Sequence, residues 1–317
     1  MSQNLMGVDD SNIELQLPSW CAEDNMTVPF TIMRDFLVSS KSENIHLAAA
    51  DAAANLTRNL PAGSYTMDEY LQSASIYVMG VFGTILNIAE QMAADHPHHH
   101  YRLAALVSAL KDQPQPEPDI GDKICSQYPF RCSEFRWEEL PSFSFQHSAL
   151  FRYKSRFEPW TTRNGFTDCW TPTQWRNLNA FISVLVAENA VEKHLWFPET
   201  GLIVLWHTLE FHRSAYDLED NIPVAATWIL TAGSWMREHR EMELQIPWVA
   251  LEDDVQYYDG PQIGFNDERW QFWKSKFQDL TTRNDLTAEA KTWAQNAADH
   301  MDSLDLESTS IEDRVDL

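Results

Sequence analysis

Between Gly264 and Lys274 the chain reads Gly-Phe-Asn-Asp-Glu-Arg-Trp-Gln-Phe-Trp-Lys, which sets the cations Arg269 and Lys274 around two tryptophans, Trp270 and Trp273. On a helix this grouping offers guanidinium and ammonium donors that can grip a diphosphate beside ring faces that can line an apolar pocket. The same residues have an ordinary reading, in which both indoles enter the core and the cations snorkel outward. Arg176 beside Trp175 repeats the theme more weakly. Upstream, just after Trp206, His207, Glu210 and Arg213 lie three residues apart and share one broad helical face where polar groups can converge. Two acidic clusters complete the set: Asp217 and Asp220 in Asp-Leu-Glu-Asp-Asn, and Asp253 and Asp254 after Glu252. Oxygen ligands of this kind suit Mg²⁺. Their ordinary reading is helix capping, salt bridging and exposure to solvent.

The elements that must position these groups read as helices. Glycine is scarce, at 10 residues, and apolar positions recur at steps of three and four over long stretches. A stripe of Tyr70, Ala74, Tyr77, Val78, Val81, Ile85, Ile88 and Met92 predicts a helix from about Met67 to Ala94. The histidine run His96 to His100, interrupted by Pro97, reads as an exposed connector to a second helix carrying Leu103, Leu106, Val107 and Leu110. Further helices are expected from Thr173 to His194 behind a Thr171-Pro172 start, from Gly201 to Tyr216, from Pro223 through Trp235, from Asp267 to Leu280, and from Thr287 to Leu304. The Pro223 segment is apolar around most of its circumference, which marks it as the centre of the core. The ring-rich stretch from Phe130 to Phe157 must also pack on the body. The expected fold is all-α: one large helical domain over residues 18–304 with an aromatic-rich core. Residues 1–17 and the acidic stretch 305–317 read as flexible tails.

Composition excludes several classes. With 23 basic against 47 acidic residues the formal charge is −24, which repels nucleic-acid backbones and anionic lipid. No run of eighteen apolar residues predicts a membrane span, and the start shows no secretion signal. The four cysteines, Cys21, Cys125, Cys132 and Cys169, lack metal-type spacing and fit free thiols in the cytoplasm. A phosphate-binding glycine loop, a dinucleotide fingerprint, a serine nucleophile elbow and a zinc-binding HExxH helix are all missing.

Three segments carry a family resemblance: Leu205-Trp206-His207-Thr208-Leu209-Glu210, Pro223-Val224-Ala225-Ala226-Thr227-Trp228-Ile229 with Ala232-Gly233, and the run from Gly264 to Lys274 followed by Phe277. They resemble a fungal family of unknown function found near secondary-metabolite gene clusters, itself similar to the α-humulene synthases of tropolone-sesquiterpenoid pathways. The resemblance implies an all-helical class I terpene cyclase that ionises farnesyl diphosphate, an isoprenyl diphosphate, with Mg²⁺. Within that expectation, residue type and placement assign Asp217, Asp220, Asp253 and Asp254 as metal ligands and Arg176, Arg213, Arg269 and Lys274 as diphosphate holders. Trp206, Trp270 and Trp273, with His207 and Glu210, would surround the reacting cation. The chain departs from the usual motifs. Tyr257 stands where a DDxxD motif beginning at Asp253 needs its last acid, and Glu188 falls one residue late for the asparagine, serine and glutamate spacing begun by Asn179 and Ser183. Two other readings remain beside the cyclase. One is a helical binding or scaffold protein without catalysis; the other is a metal-free cyclase or isomerase acting on a polyketide or terpenoid intermediate.

Overall fold

The computed structural model describes residues 13–18, 26–38, 44–60, 67–114, 137, 170–191, 196–211, 214–244 and 264–315, with 67–75, 196, 216 and 308–315 as backbone only. Every regular element among them is an α-helix, so the all-α expectation holds. None of these helices is long and apolar enough to cross a membrane. The chain divides into two compact units, residues 1–149 and 150–317.

In the first unit α1 (Thr27–Val38), α2 (Ile45–Arg58), α3 (Met67–Gln91) and α4 (Pro97–Lys111) form the core. Ala49, Ala52, Ala53 and Leu56 give α2 a narrow face, and α2 packs chiefly on α4, where Leu103, Leu106, Val107 and Leu110 are buried. Small residues on one helix let the leucines of the other seat between its ridges. The Tyr77 hydroxyl donates to the Leu56 carbonyl at 2.8 Å, tying α3 to the end of α2. The histidine run differs from expectation. Pro97 occupies the first turn of α4, so the helix starts inside the run and buries His99 and His100. Proline's fixed φ and missing N–H suit that first turn, where the donor would have no helical acceptor. Of the ring-rich stretch only Trp137 falls among the described residues; it is buried and meets Phe82 edge-on at 5.7 Å.

The second unit holds α5 (Pro172–Ala187), α6 (Trp196–Leu209), α7 (Ala215–Glu238), α8 (Asp267–Thr282) and α9 (Ala288–Val315). α5 begins where the sequence places it. The Thr171 hydroxyl accepts the Gln174 N–H at 3.2 Å, the Gln174 side chain accepts the Thr171 N–H at 3.1 Å, and Pro172 follows the cap. α7 lies centrally, packed on α5, α9 and α6, with Ile222, Val224, Ala225, Ala226, Trp228, Ile229 and Ala232 all buried. It starts at Ala215 rather than Pro223. The Ser214 hydroxyl accepts the Asp217 N–H at 3.2 Å, and this cap nucleates two further turns ahead of the proline. Because Ser214 opens a new helix, α6 stops at Leu209 instead of reaching Tyr216.

Two glycines are fixed by geometry. A Cβ on Gly201 would lie 2.6 Å from the Trp228 ring, so α6 crosses α7 at a distance only glycine allows. Gly264 has φ +60°, and a Cβ there would meet the Met242 carbonyl oxygen at 2.2 Å. Its turn delivers the chain to Asn266, whose side chain accepts the Arg269 N–H at 2.9 Å and caps α8.

Candidate functional site

The cap at Asn266 sets Arg269 in the first turn of α8 and points it at Glu210, just past the end of α6. Arg269 Nε donates to Glu210 Oε1 at 2.7 Å and Nη2 to Oε2 at 3.1 Å, a two-pronged pair with neither side chain exposed. Nη1 donates to the Gly264 carbonyl at 3.2 Å, and the Trp273 indole N–H donates to Glu210 Oε1 at 2.9 Å. The guanidinium also lies 5.8 Å from the Trp273 ring centre. Three expected site residues therefore do meet, but they satisfy one another. In a medium of low polarity such a fork is held by matched geometry, and removing either partner leaves a bare buried charge. An incoming phosphate would have to displace Glu210. Arg269 does not snorkel outward, as its ordinary reading had it; the cation is buried along with both tryptophans.

Lys274 sits one turn further along α8. Its ammonium bonds Asp305 at 2.6 Å and Asp302 at 3.0 Å, both on α9. Burial works against its charge, but these bonds outweigh it and raise its pKa. Asp305 also accepts the Trp270 indole N–H at 3.1 Å and the Gln271 amide at 2.9 Å, and lies 3.6 Å from Arg237. Burial tends to raise the Asp305 carboxyl, and its bonds to Lys274 and Gln271 overcome that and lower it. Sequence reasoning put Asp305 at the start of a tail. Its signal was position: it follows the buried Ala298 and Met301 by seven and four residues, so it returns to the face that α8 covers.

The remaining candidates divide. Arg176 approaches Glu289 to 3.9 Å and lies 5.9 Å from the Trp293 ring centre. Asn179 and Ser183 are spent inside the core: Asn179 accepts the Trp228 indole N–H at 2.9 Å, and the Ser183 hydroxyl donates to the Ala180 carbonyl at 2.8 Å. Asp217 accepts the Ser214 hydroxyl at 2.7 Å as part of the α7 cap, and Asp220 is half-buried one turn on. Arg213, Asp253 and Asp254 lie outside the described residues. Among the described residues no three His, Cys, Asp or Glu side chains gather as a metal site. Asp217 and Asp220 offer two carboxylates one turn apart, and Mg²⁺ held largely by substrate phosphates needs only one or two.

Trp206 and His207 make a separate ring cluster at the end of α6. Trp206 meets His207 at 4.7 Å and Phe211 at 4.8 Å between ring centres, both edge-on, and His207 stacks on Phe211 at 5.9 Å. Trp206 is 7% exposed, yet its indole N–H has no acceptor. Three residues beyond Phe211, Ser214 opens the helix that carries Asp217 and Asp220.

The model of the family described as "protein of unknown function (DUF3632)" matches residues 82–277, more than half of the chain. The chain belongs to this family. No curated protein and no solved structure matches it. The DUF3632 segment contains Glu210, Arg269 and Trp273 together, as well as the Trp206 ring cluster. It ends before α9, so Lys274 lies inside the DUF3632 match while its partners Asp302 and Asp305 lie beyond it.

Proposed function

We propose that this chain is an enzyme of fungal secondary metabolism, an unconventional class I sesquiterpene cyclase that converts farnesyl diphosphate to a cyclic sesquiterpene with Mg²⁺. The observation that carries the reading is the Trp206, His207 and Phe211 cluster. A buried indole N–H without an acceptor costs about 1–3 kcal/mol, and such a cost is tolerated where a ligand supplies the missing oxygen. The rings beside it would stabilise an allylic cation by their π faces. Mg²⁺, when bound, would neutralise charge on the departing diphosphate. Asp217 and Asp220 at the head of α7 would hold it, joined by Asp253 and Asp254, while Arg213 and Arg176 would supply cations. In this reading Arg269, Glu210 and Trp273 are the frame that fixes α8 against α6. Their bonds are already made, so they would position the site rather than touch substrate.

The test is incubation of the purified chain with farnesyl diphosphate and Mg²⁺, with diphosphate release and volatile products measured. A cyclic hydrocarbon whose formation stops in chelator supports the proposal; absence of both product and diphosphate sinks it. Product that persists in chelator would instead indicate a metal-free cyclase.

One observation favours a second reading, a helical binding or scaffold protein without catalysis: the two cations most suited to diphosphate, Arg269 and Lys274, are held by the chain's own carboxylates. That reading expects no turnover under any of these conditions.

A further inference from the structure

α6 is buried along nearly its whole length, yet Glu199 and Ile203 are only half-buried and Trp206 keeps a sliver of exposure. These three residues stand at steps of four and three, within an arc of about 60° on the helix, so they form one partly open stripe. Both polar groups on the stripe lack partners. The Trp206 N–H meets no acceptor, and Glu199 makes neither a hydrogen bond nor an ion pair to any described residue. Burial without compensation is also why the Glu199 carboxyl is pushed above its ordinary value. A structural carboxylate is ordinarily paired or turned to water, and a structural indole N–H ordinarily finds an oxygen.

We infer that this stripe is a ligand site, in which Glu199 and Trp206 engage oxygens at the two ends of an apolar small molecule lying along Ile203. Seven residues of helix separate the end groups by about 10 Å, the span of roughly eight to ten carbons. At the Trp206 end the ligand must present an acceptor. At the Glu199 end a hydroxyl fits best, because it can donate to a carboxylate and accept from a carboxyl. The ligand class is therefore an oxygenated chain or ring system of terpenoid size with an oxygen at each end. The inference rests on the proposed function only in taking Trp206 to face a ligand; it needs no cyclisation step.

Equilibrium binding of 1,10-decanediol, 1-decanol and 1,4-butanediol to the full chain, followed by calorimetry, tests it without turnover. The long diol is expected to bind about tenfold more tightly than the mono-alcohol, and the short diol not to bind. Trp206→Phe keeps an aromatic ring but removes the N–H with the five-membered ring that bears it, and Glu199→Ala removes the carboxyl; each should reduce the long diol to the affinity of 1-decanol. Glu199→Ala should melt no lower than the parent, since its carboxyl has no partner, whereas Trp206→Phe also gives up part of a packed ring and should melt lower while still folding. Equal affinity for the two ten-carbon alcohols, no binding of either, or indifference to both substitutions overturns the inference. A Glu199→Ala variant that unfolds does the same, because it would show the carboxyl to be part of the frame. Failure of the cyclase assay alone leaves this result untouched.

Discussion

Arg269 spends three of its nitrogens inside the protein, two on Glu210 and one on the Gly264 carbonyl, and Glu210 spends its first oxygen twice, on Arg269 and on Trp273. Replacing Arg269 by Met leaves Glu210 charged and dry without its guanidinium partner, at a cost of about 3–5 kcal/mol. Adding Glu210→Gln should return much of that loss, because the amide is neutral and its oxygen still accepts the Trp273 N–H. Chemical denaturation of the parent, both single variants and the double variant gives the coupling energy. Additive losses would mean that the two residues do not act as a pair. Asp305 supports a finer comparison. Asp305→Ala strips the acceptor from the wholly buried Trp270 indole and should cost about 1–3 kcal/mol, whereas Asp302→Ala removes only a half-exposed ion pair and should cost under about 1 kcal/mol.

Helices are positioned here by caps and by close crossings, and the two differ in how far the sequence reveals them. Gly201→Ala places a methyl group 2.6 Å from the Trp228 ring at the crossing of α6 and α7, so a thermal melt should show about 1–3 kcal/mol of overpacking. A melt equal to the parent's would show that the helices part freely. Caps were legible: Thr171-Pro172 announced α5, and α8 begins at Asp267 as expected, because a cap is a local device written in adjacent residues. Proline misled in both directions. Pro97 opens a helix where a connector was expected, and Pro223 lies inside a helix where a start was expected, because proline fits a first turn and is also tolerated where packing outweighs one lost bond. The helix types and the buried tryptophans followed from periodicity. The bonds that define the site did not. Glu210 and Arg269 are 59 residues apart, and nothing in either neighbourhood marks the other as its partner. A cation beside two tryptophans reads identically whether it faces a ligand or a buried carboxylate, and only the returning chain decides.

Across the whole chain, burial displaces ionisable groups in opposite senses, and this predicts how stability responds to pH. His100 in the first unit has no exposure, and burial holds its imidazole down at about 4 against an ordinary 6.5. Between those values the unfolded chain takes up a proton that the folded one refuses. The stability His100 permits is therefore complete above about pH 6.5 and is lost as pH falls toward 4, by an amount on the order of 3 kcal/mol. His300 on α9, also lowered by burial, acts in the same sense. Glu199 acts oppositely. Its folded value is raised, so its contribution is fully present below its ordinary value of 4.5 and is lost as pH rises through the folded one. Melting temperatures from pH 7.5 to 4.5 should therefore fall for the parent, fall less for His100→Gln, and fall more steeply for Glu199→Gln, whose melt at pH 7.5 should exceed the parent's. Parallel curves for the parent and His100→Gln would place the acid-sensitive group elsewhere. A Glu199→Gln melt below the parent's at neutral pH would mean that this carboxyl is paired in the free protein, which would also remove one end of the proposed ligand stripe.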